Sequence, residues 1–246
     1  LDKEFRVLDR GFVRLVDYMG SDERIVASAR VSYGKGTKTL REDRLLIDYL
    51  LKHGHTSPFE QVVLTFHAKM PIFVARQWIR HRTARLNEIS GRYSVMADEF
   101  YLPEEETLRL QCTGNNPGRS QECAPPEVRA KALETLAEGQ RRAYGEYREM
   151  IAAGLARELA RIHLPLSLYT EWYWQMDLHN LFHFLALRLH PHAQLEIRAY
   201  ARVLLDIARA VAPVAVEAFE RHILGAVSLS AEDVEARFAA RRAELL

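Results

Sequence analysis

Apolar and polar positions change their period several times along the chain, and each change marks an element. In the first 20 residues apolar side chains alternate with polar ones around Gly11, with Phe5 and Val7 before it and Phe12, Val13, Leu15 and Val16 after it. That alternation predicts extended structure folded as a hairpin. Ser21, Asp22 and Glu23 supply the polar opening of a short helix. Between Leu40 and His53, Leu45, Leu46, Ile47, Tyr49, Leu50 and Leu51 recur at helical spacing, and Gly54 stands where a left-handed residue ends a helix. His55 therefore falls just past a helix end. Residues 61–70 return to period two, with Val62, Leu64, Phe66, Ala68 and Met70 on one face of a predicted strand. Pro71 then opens a helix predicted over IFVARQWIRHR, residues 72–82, because its missing N–H has no partner in a first turn anyway.

Residues 111–126 concentrate Gly, Pro, Asn and Ser and predict an exposed loop. A long polar helix follows to Met150 and ends near Gly154. From Leu155 onward helix dominates the expectation, with breaks at Pro165, Pro191 and near Pro213 and the densest apolar content from Leu178 to Leu189. A charged helical tail starts at about residue 230. No repeat or linker divides the 246 residues, so one catalytic domain over the whole length is expected.

Composition narrows the function classes. Lys and Arg total 34 against 33 for Asp and Glu, a net charge of +1, so no global field draws the chain to nucleic acid or membrane. Short, interrupted apolar stretches and an opening of Leu1, Asp2, Lys3 and Glu4, which lacks a signal-peptide core, predict a soluble, cytoplasmic protein. Cys112 and Cys123 both lie in the predicted loop, with neither a disulfide framework nor metal-ligand spacing. No G-x-G-x-x-G fingerprint occurs, and Gly34, Lys35, Gly36 and Thr37 lack the spacing of a Walker loop.

Candidate chemistry concentrates between Arg76 and Arg92, where Arg76, Arg80, Arg82, Arg85, Arg92 and His81 face a single acid, Glu88. A helix over 72–82 would place Gln77, Arg80 and His81 on one face and Ile72, Ala75 and Ile79 on another. Ser90, Gly91 and Arg92 follow with a hydroxyl, an unobstructed backbone N–H and a guanidinium, the components of a phosphate cradle. A solvated basic face is the plain alternative, but the interleaved Phe73, Trp78 and Tyr93 favour a binding site.

RHRTARLNEIS, Arg80 to Ser90, carries Arg, His, Arg and, after seven residues, Ser; SGRYS extends it to Ser94. HGHTSPFE (His53 to Glu60), ARIHLPLSLYTEWYW (Ala160 to Trp174) and HAQLEIRAYA (His192 to Ala201) flank it in order. Together these segments resemble flavin-dependent thymidylate synthases over roughly residues 5–220. The resemblance implies a single α+β domain with a mixed sheet packed by helices, assembled as a homotetramer with shared active sites. It implies conversion of dUMP to dTMP, with FAD as cofactor and with NADPH and methylenetetrahydrofolate as co-substrates; no metal is implied. Contacts to dUMP carry over to Gln77, Arg80, Glu88, Ser90, Gly91, Arg92, Arg161 and Arg188. Flavin contacts carry over to Ser32, Ser57, Glu60, Arg80, His81, Arg82, Glu88, Asp177, His179, His183 and His192, and His55 lies toward the folate. Arg188 is the implied catalytic group, stabilising charge on an activated uracil, since neither cysteine has a base or helix N-terminus to make it a nucleophile. Arg85 stands where many relatives carry a serine once considered a nucleophile, and Asp177, His179 and His183 stand where Asn, Arg and Asn are common.

Two other classes compete. A metal-dependent hydrolase could use His179 and His183, at i and i+4, with Asp177, His190 or His192, although no HExxH occurs. An RNA-binding module could use the Arg76 to Arg92 patch and its aromatics, against the net charge of only +1.

Overall fold

The computed structural model describes residues 1–31, 40–112 and 119–244, without the side chains of 40, 41 and 239–244. Ser32, the Gly34 to Thr37 stretch and the middle of the predicted 111–126 loop lie outside the described residues. The expected hairpin is present as β1 (Phe5–Val7) and β2 (Gly11–Met19), paired antiparallel with Val7 opposite Gly11. α1 (Asp22–Arg30) and α2 (Leu40–Lys52) follow, and Gly54 has φ +71° at the end of α2. There Gly54 N–H donates to the Leu51 carbonyl at 3.2 Å and His55 N–H to that of Leu50 at 2.8 Å, a paired closure that locks His55 beyond the helix.

β3 (Val63–Pro71) is the strand expected from period two, and all five apolar residues assigned to its inner face are buried. Pro71 closes this strand and sits at the N-cap of α3 (Ile72–Trp78), one position earlier than expected. α3 is also shorter than predicted. Its last hydrogen bond runs from Ile79 N–H to Ala75, after which His81 N–H turns back to the Trp78 carbonyl at 3.1 Å. Gln77, Arg80 and His81 therefore share no helical face: Arg80 points to solvent while His81 is buried.

β4 (Arg85–Glu88) leads toward the cradle residues. Part of the predicted 111–126 loop is instead a small hairpin of β5 (Arg109–Gln111) and β6 (Arg119–Cys123). α4 (Pro126–Ala152) is the long polar helix, ended at Gly154 with φ +88°. After α5 (Arg157–Ala160) comes the largest departure from the sequence expectation: residues Tyr169–Asp177 form a strand, β7, rather than helix. Thr170, Trp172, Trp174 and Met176 alternate inward, and aromatic side chains fit a pleated surface better than a helical one. α6 (Leu178–Arg188), α7 (Leu195–Val211), α8 (Pro213–Phe219) and the tail helix α9 (Ala231–Glu244) complete the order.

The five-stranded sheet runs β1-β2-β3-β7-β4. The α+β class holds, and every pairing in the sheet is antiparallel where the resemblance implies a mixed sheet. Its inner face packs on α3, α6 and α7. Trp78, fully buried, is the hinge of that contact: its ring lies 5.4 Å from Trp172, 5.3 Å from Trp174, 5.3 Å from Phe184 and 5.7 Å from Tyr200. Truncating such a side chain costs roughly 3–5 kcal/mol, so Trp78 firmly fixes where α3 ends and where the next four residues emerge. Among the described residues no helix is long and apolar enough to cross a membrane.

Candidate functional site

Because Trp78 is wedged against Phe184, the turn after α3 meets the last turn of α6. Arg188 Nε donates to His81 Nε2 at 3.1 Å, and Arg188 Nη2 donates to the Gln77 carbonyl at 3.1 Å. The His81 ring lies 4.8 Å from Phe184 and 5.7 Å from His183. Burial, with Arg188 and His183 nearby, pulls His81 down to about 4, so it is a neutral acceptor near pH 7. Burial also lowers Arg188, which remains a cation. The Gln77 amide donates to the side chain of Gln194, a residue sequence reasoning did not single out although it stands inside HAQLEIRAYA.

A second group follows β4. Its Glu88 accepts from the Thr170 hydroxyl at 2.6 Å, and Ile89 N–H donates to the Glu171 carbonyl at 2.9 Å. The chain then turns at Ser90, whose carbonyl accepts from the N–H groups of Tyr93 and Ser94, each at 3.1 Å. α4 braces this turn from below: Tyr147 Oη accepts from Met96 N–H at 2.9 Å and Tyr144 Oη donates to the Met96 carbonyl at 3.1 Å. Gly91 is buried, and a Cβ there would meet Arg161 Cδ at 3.0 Å and Met96 Sδ at 3.2 Å. The turn thus brings Ser90, Gly91, Arg92 and Arg161 together. Arg92 pairs with Glu158 at 3.1 Å, a second partner the sequence reading missed because nothing in its spacing marks it.

Among the described residues, no side-chain hydrogen bond or ion pair engages Arg76, Arg80, Arg82, Arg85 or Arg161. In a chain with nearly balanced charge, five free guanidiniums around one short segment form a donor set suited to anionic ligands.

Comparison with known proteins shows the family. The family described as Thy1, thymidylate synthase complementing protein, matches residues 14–214. A flavin-dependent thymidylate synthase of Treponema denticola is 61% identical over 236 residues, covering 96% of this chain and 89% of the relative. The chain belongs to the flavin-dependent thymidylate synthase family. A flavin-dependent thymidylate synthase of Thermus thermophilus is 58% identical over 94% of this chain and 83% of its own length. The fold is similar to a UMP/dUMP methylase, PolB, of Streptomyces cacaoi solved with 5-Br dUMP, with a TM-score of 0.81, 31% identity and coverage of 89% of this chain and 98% of that one.

For a flavin-dependent thymidylate synthase, the remaining expected residues lie outside these two hydrogen-bonded groups. Ser57 and Glu60 are exposed on the short helical turn Ser57–Gln61, and His55 is exposed with its ring 6.1 Å from Tyr49. His192 stacks on His190 at 5.0 Å. None of these four bonds to the two groups above. Asp177 caps α6: Oδ1 accepts from Asn180 N–H at 2.9 Å and Oδ2 from the Asn180 amide at 2.7 Å. His183 is exposed beside His81, and His179 is half-buried one turn earlier. Among the described residues no three His, Cys, Asp or Glu side chains converge as metal ligands.

Proposed function

We propose that this enzyme methylates dUMP to dTMP with methylenetetrahydrofolate as carbon donor and NADPH as reductant of bound FAD, without a cysteine nucleophile. The single observation that carries the reading is the pairing of an unneutralised arginine set with the Gly91 turn, a recess that any side chain would fill. The donors present fit two phosphate-bearing ligands. The Ser90 hydroxyl, Gly91 N–H, Arg92 and Arg161 would hold the dUMP phosphate, with Glu88 beside them and Arg80 reaching toward both ligands. His81, Arg82, Ser57, Glu60, Asp177, His179, His183, His192 and, outside the described residues, Ser32 would line the flavin, and His55 the folate side.

FAD, when bound and reduced, supplies the hydride that completes the methyl group. The chain's own contribution is electrostatic. Arg188, oriented by His81 and the Gln77 carbonyl, keeps N–H groups free to donate to a uracil ring carrying negative charge at N3 and its adjacent carbonyl oxygen. A guanidinium does this without giving up its proton. Cys112 and Cys123 lie on or beside the peripheral β5–β6 hairpin with no contact to this cluster. The reading includes a homotetramer in which neighbouring subunits complete each site, and it takes the whole length as one catalytic domain.

The test is a spectrum followed by an assay. Protein incubated with FAD should retain a yellow chromophore that NADPH bleaches anaerobically, and dUMP with methylenetetrahydrofolate should then give dTMP and tetrahydrofolate. Colourless protein after FAD soaking, or no dTMP from the reduced holoenzyme, overturns the reading.

A further inference from the structure

Thr170 is a polar residue on an otherwise apolar face. The inward positions of β7 are Thr170, Trp172, Trp174 and Met176, all buried, and Thr170 keeps only 2% of its surface exposed. A buried hydroxyl without a partner costs stability that a valine of the same shape would not. Among the described residues the Thr170 hydroxyl has one hydrogen bond, donated from Oγ1 to Glu88 Oε1 at 2.6 Å, the length of a charge-assisted bond.

Strand register brings the two together. Glu88, the last residue of β4, pairs with Trp172, so its side chain lies on the Trp172 face and Thr170 is its diagonal neighbour. The bond anchors one oxygen of an exposed side chain whose torsions would otherwise wander in solvent. Among the described residues, Oε2 has no partner in the chain. Ser90 stands two residues further on, roughly 7 Å along an extended backbone, so the anchored carboxylate adjoins the Ser90 to Arg92 turn. An ionised carboxylate can only accept. With its phosphate ionised, dUMP has only the ring N3–H and the sugar 3′-hydroxyl to donate, and the sugar is the part joined to the phosphate. The 3′-hydroxyl is therefore the donor that Oε2 suits.

We propose that Thr170 is a positioning residue for the nucleotide sugar: its hydroxyl fixes the Glu88 carboxylate so that Oε2 accepts from the 3′-hydroxyl of dUMP. The proposal rests on the reading above in placing the dUMP phosphate at Ser90, Gly91 and Arg92. Thr170 itself touches no substrate. Without its hydroxyl, Glu88 remains exposed and hydrated, so no buried charge is stranded, but the carboxylate must be ordered each time a nucleotide binds.

The experiment compares FAD-loaded wild type, Thr170→Val, Thr170→Ser, Glu88→Ala and the double variant Thr170→Val/Glu88→Ala. The measurements are kcat and KM for dUMP, and calorimetric Kd for dUMP and for 2′,3′-dideoxyuridine monophosphate, which lacks the 3′-hydroxyl. Losing one oriented hydrogen bond should raise Kd and KM for dUMP roughly three- to tenfold in Thr170→Val, with kcat held within about twofold because uniform binding is what is lost. The dideoxynucleotide should bind Thr170→Val within about twofold of wild type; a merely structural role would weaken both nucleotides alike. Thr170→Ser, which keeps the hydroxyl, should behave as wild type. The double variant should bind dUMP no more weakly than Glu88→Ala, because Thr170 acts only through Glu88. Unchanged dUMP binding in folded Thr170→Val, parallel weakening of both nucleotides, or a full further loss in the double variant overturns the proposal. If Thr170→Val fails to fold, Thr170→Ala, which also removes the hydroxyl, decides by the same ratio. Wild type that binds both nucleotides equally defeats the proposal alone, wild type that binds dUMP without forming dTMP defeats the functional reading alone, and wild type that binds no dUMP defeats both.

Discussion

Arg188 Nε sits 3.1 Å from His81 Nε2, and because a guanidinium has only donors, the His81 nitrogen facing it must be the acceptor. The ring proton of His81 is thereby placed on Nδ1. Arg188 has no carboxylate partner among the described residues, so its orientation depends on a neutral imidazole and on the Gln77 carbonyl at 3.1 Å.

This pair makes acid stability depend on His81. Its ordinary value of 6.5 falls to about 4 in the folded chain, so between these limits the unfolded state takes up a proton that the folded state refuses. The stabilisation is complete above 6.5 and is lost as pH falls toward 4, by on the order of 1–3 kcal/mol. Melting curves of wild type and His81→Gln at several pH values should show a steeper acid-side fall for wild type in that window. Parallel curves would show that His81 is not the group responsible.

How far this arrangement could be read from sequence depends on which interactions build each part. Period two in Val62 to Met70 and the glycines at 54 and 154 sufficed for β3 and two helix ends, because local chemistry sets them. β7 was hidden: YTEWYWQMD lies among helical segments, and its alternation of Trp172, Trp174 and Met176 has meaning only when β3 is beside it. The end of α3 leaves no local signal for the same reason: Trp78 is buried among residues from β7, α6 and α7, contacts that the spacing within RQWIRHR does not reveal. The basic motif was legible; the acceptors that aim it, His81 on Arg188 and Gln194 on Gln77, are long-range and leave no spacing signal.

Gly91→Ala tests the cradle. The added methyl would press on Arg161 Cδ at 3.0 Å and Met96 Sδ at 3.2 Å, both parts of adaptable side chains. Stability should fall only slightly, while KM for dUMP rises roughly tenfold as Arg161 is pushed from the phosphate position, the worth of one charge-assisted hydrogen bond. Equal KM values in the two proteins would remove Gly91 and Arg161 from the phosphate site.

Asp177 caps α6 and is proposed to contact the flavin, and substitutions separate the two roles. As the α6 N-cap it accepts from Asn180 N–H at 2.9 Å, so Asp177→Ala should cost about 1 kcal/mol of stability. Asp177→Asn retains a capping oxygen and should melt close to wild type. If Asn also leaves FAD affinity intact, the carboxylate acts through the helix; tighter or weaker FAD binding in a protein of unchanged stability would assign it a direct flavin contact.

The cysteines offer a mechanistic check. Cys123 is exposed at the end of β6 and Cys112 lies just past β5, and among the described residues neither bonds to a base. Cys112→Ser/Cys123→Ser should form dTMP at a rate within about twofold of wild type, because surface substitutions away from a site seldom matter. Collapse of turnover in a folded, flavin-loaded double variant would reinstate thiolate chemistry.

Arg188→Ala separates the two half-reactions. The side chain it removes donates to His81 and to the Gln77 carbonyl, both neutral acceptors, so its loss strands no buried carboxylate and the protein should fold and keep FAD. Flavin reduction by NADPH needs no activated pyrimidine and should proceed near the wild-type rate. Formation of dTMP needs charge stabilised on the uracil ring, and removing one preorganised donor typically costs roughly 10²- to 10³-fold in turnover. Arg188→Lys keeps the charge but cannot span His81, the Gln77 carbonyl and the uracil ring with one ammonium, so it should recover only part of that loss. His81→Gln should fall in the same direction by a smaller factor, since it loosens the guanidinium without removing it. Stopped-flow NADPH oxidation and single-turnover dTMP formation, measured on each variant, give the decisive comparison: slow dTMP with normal flavin reduction assigns Arg188 to the pyrimidine step, whereas equal loss in both would make it a residue of the flavin site instead.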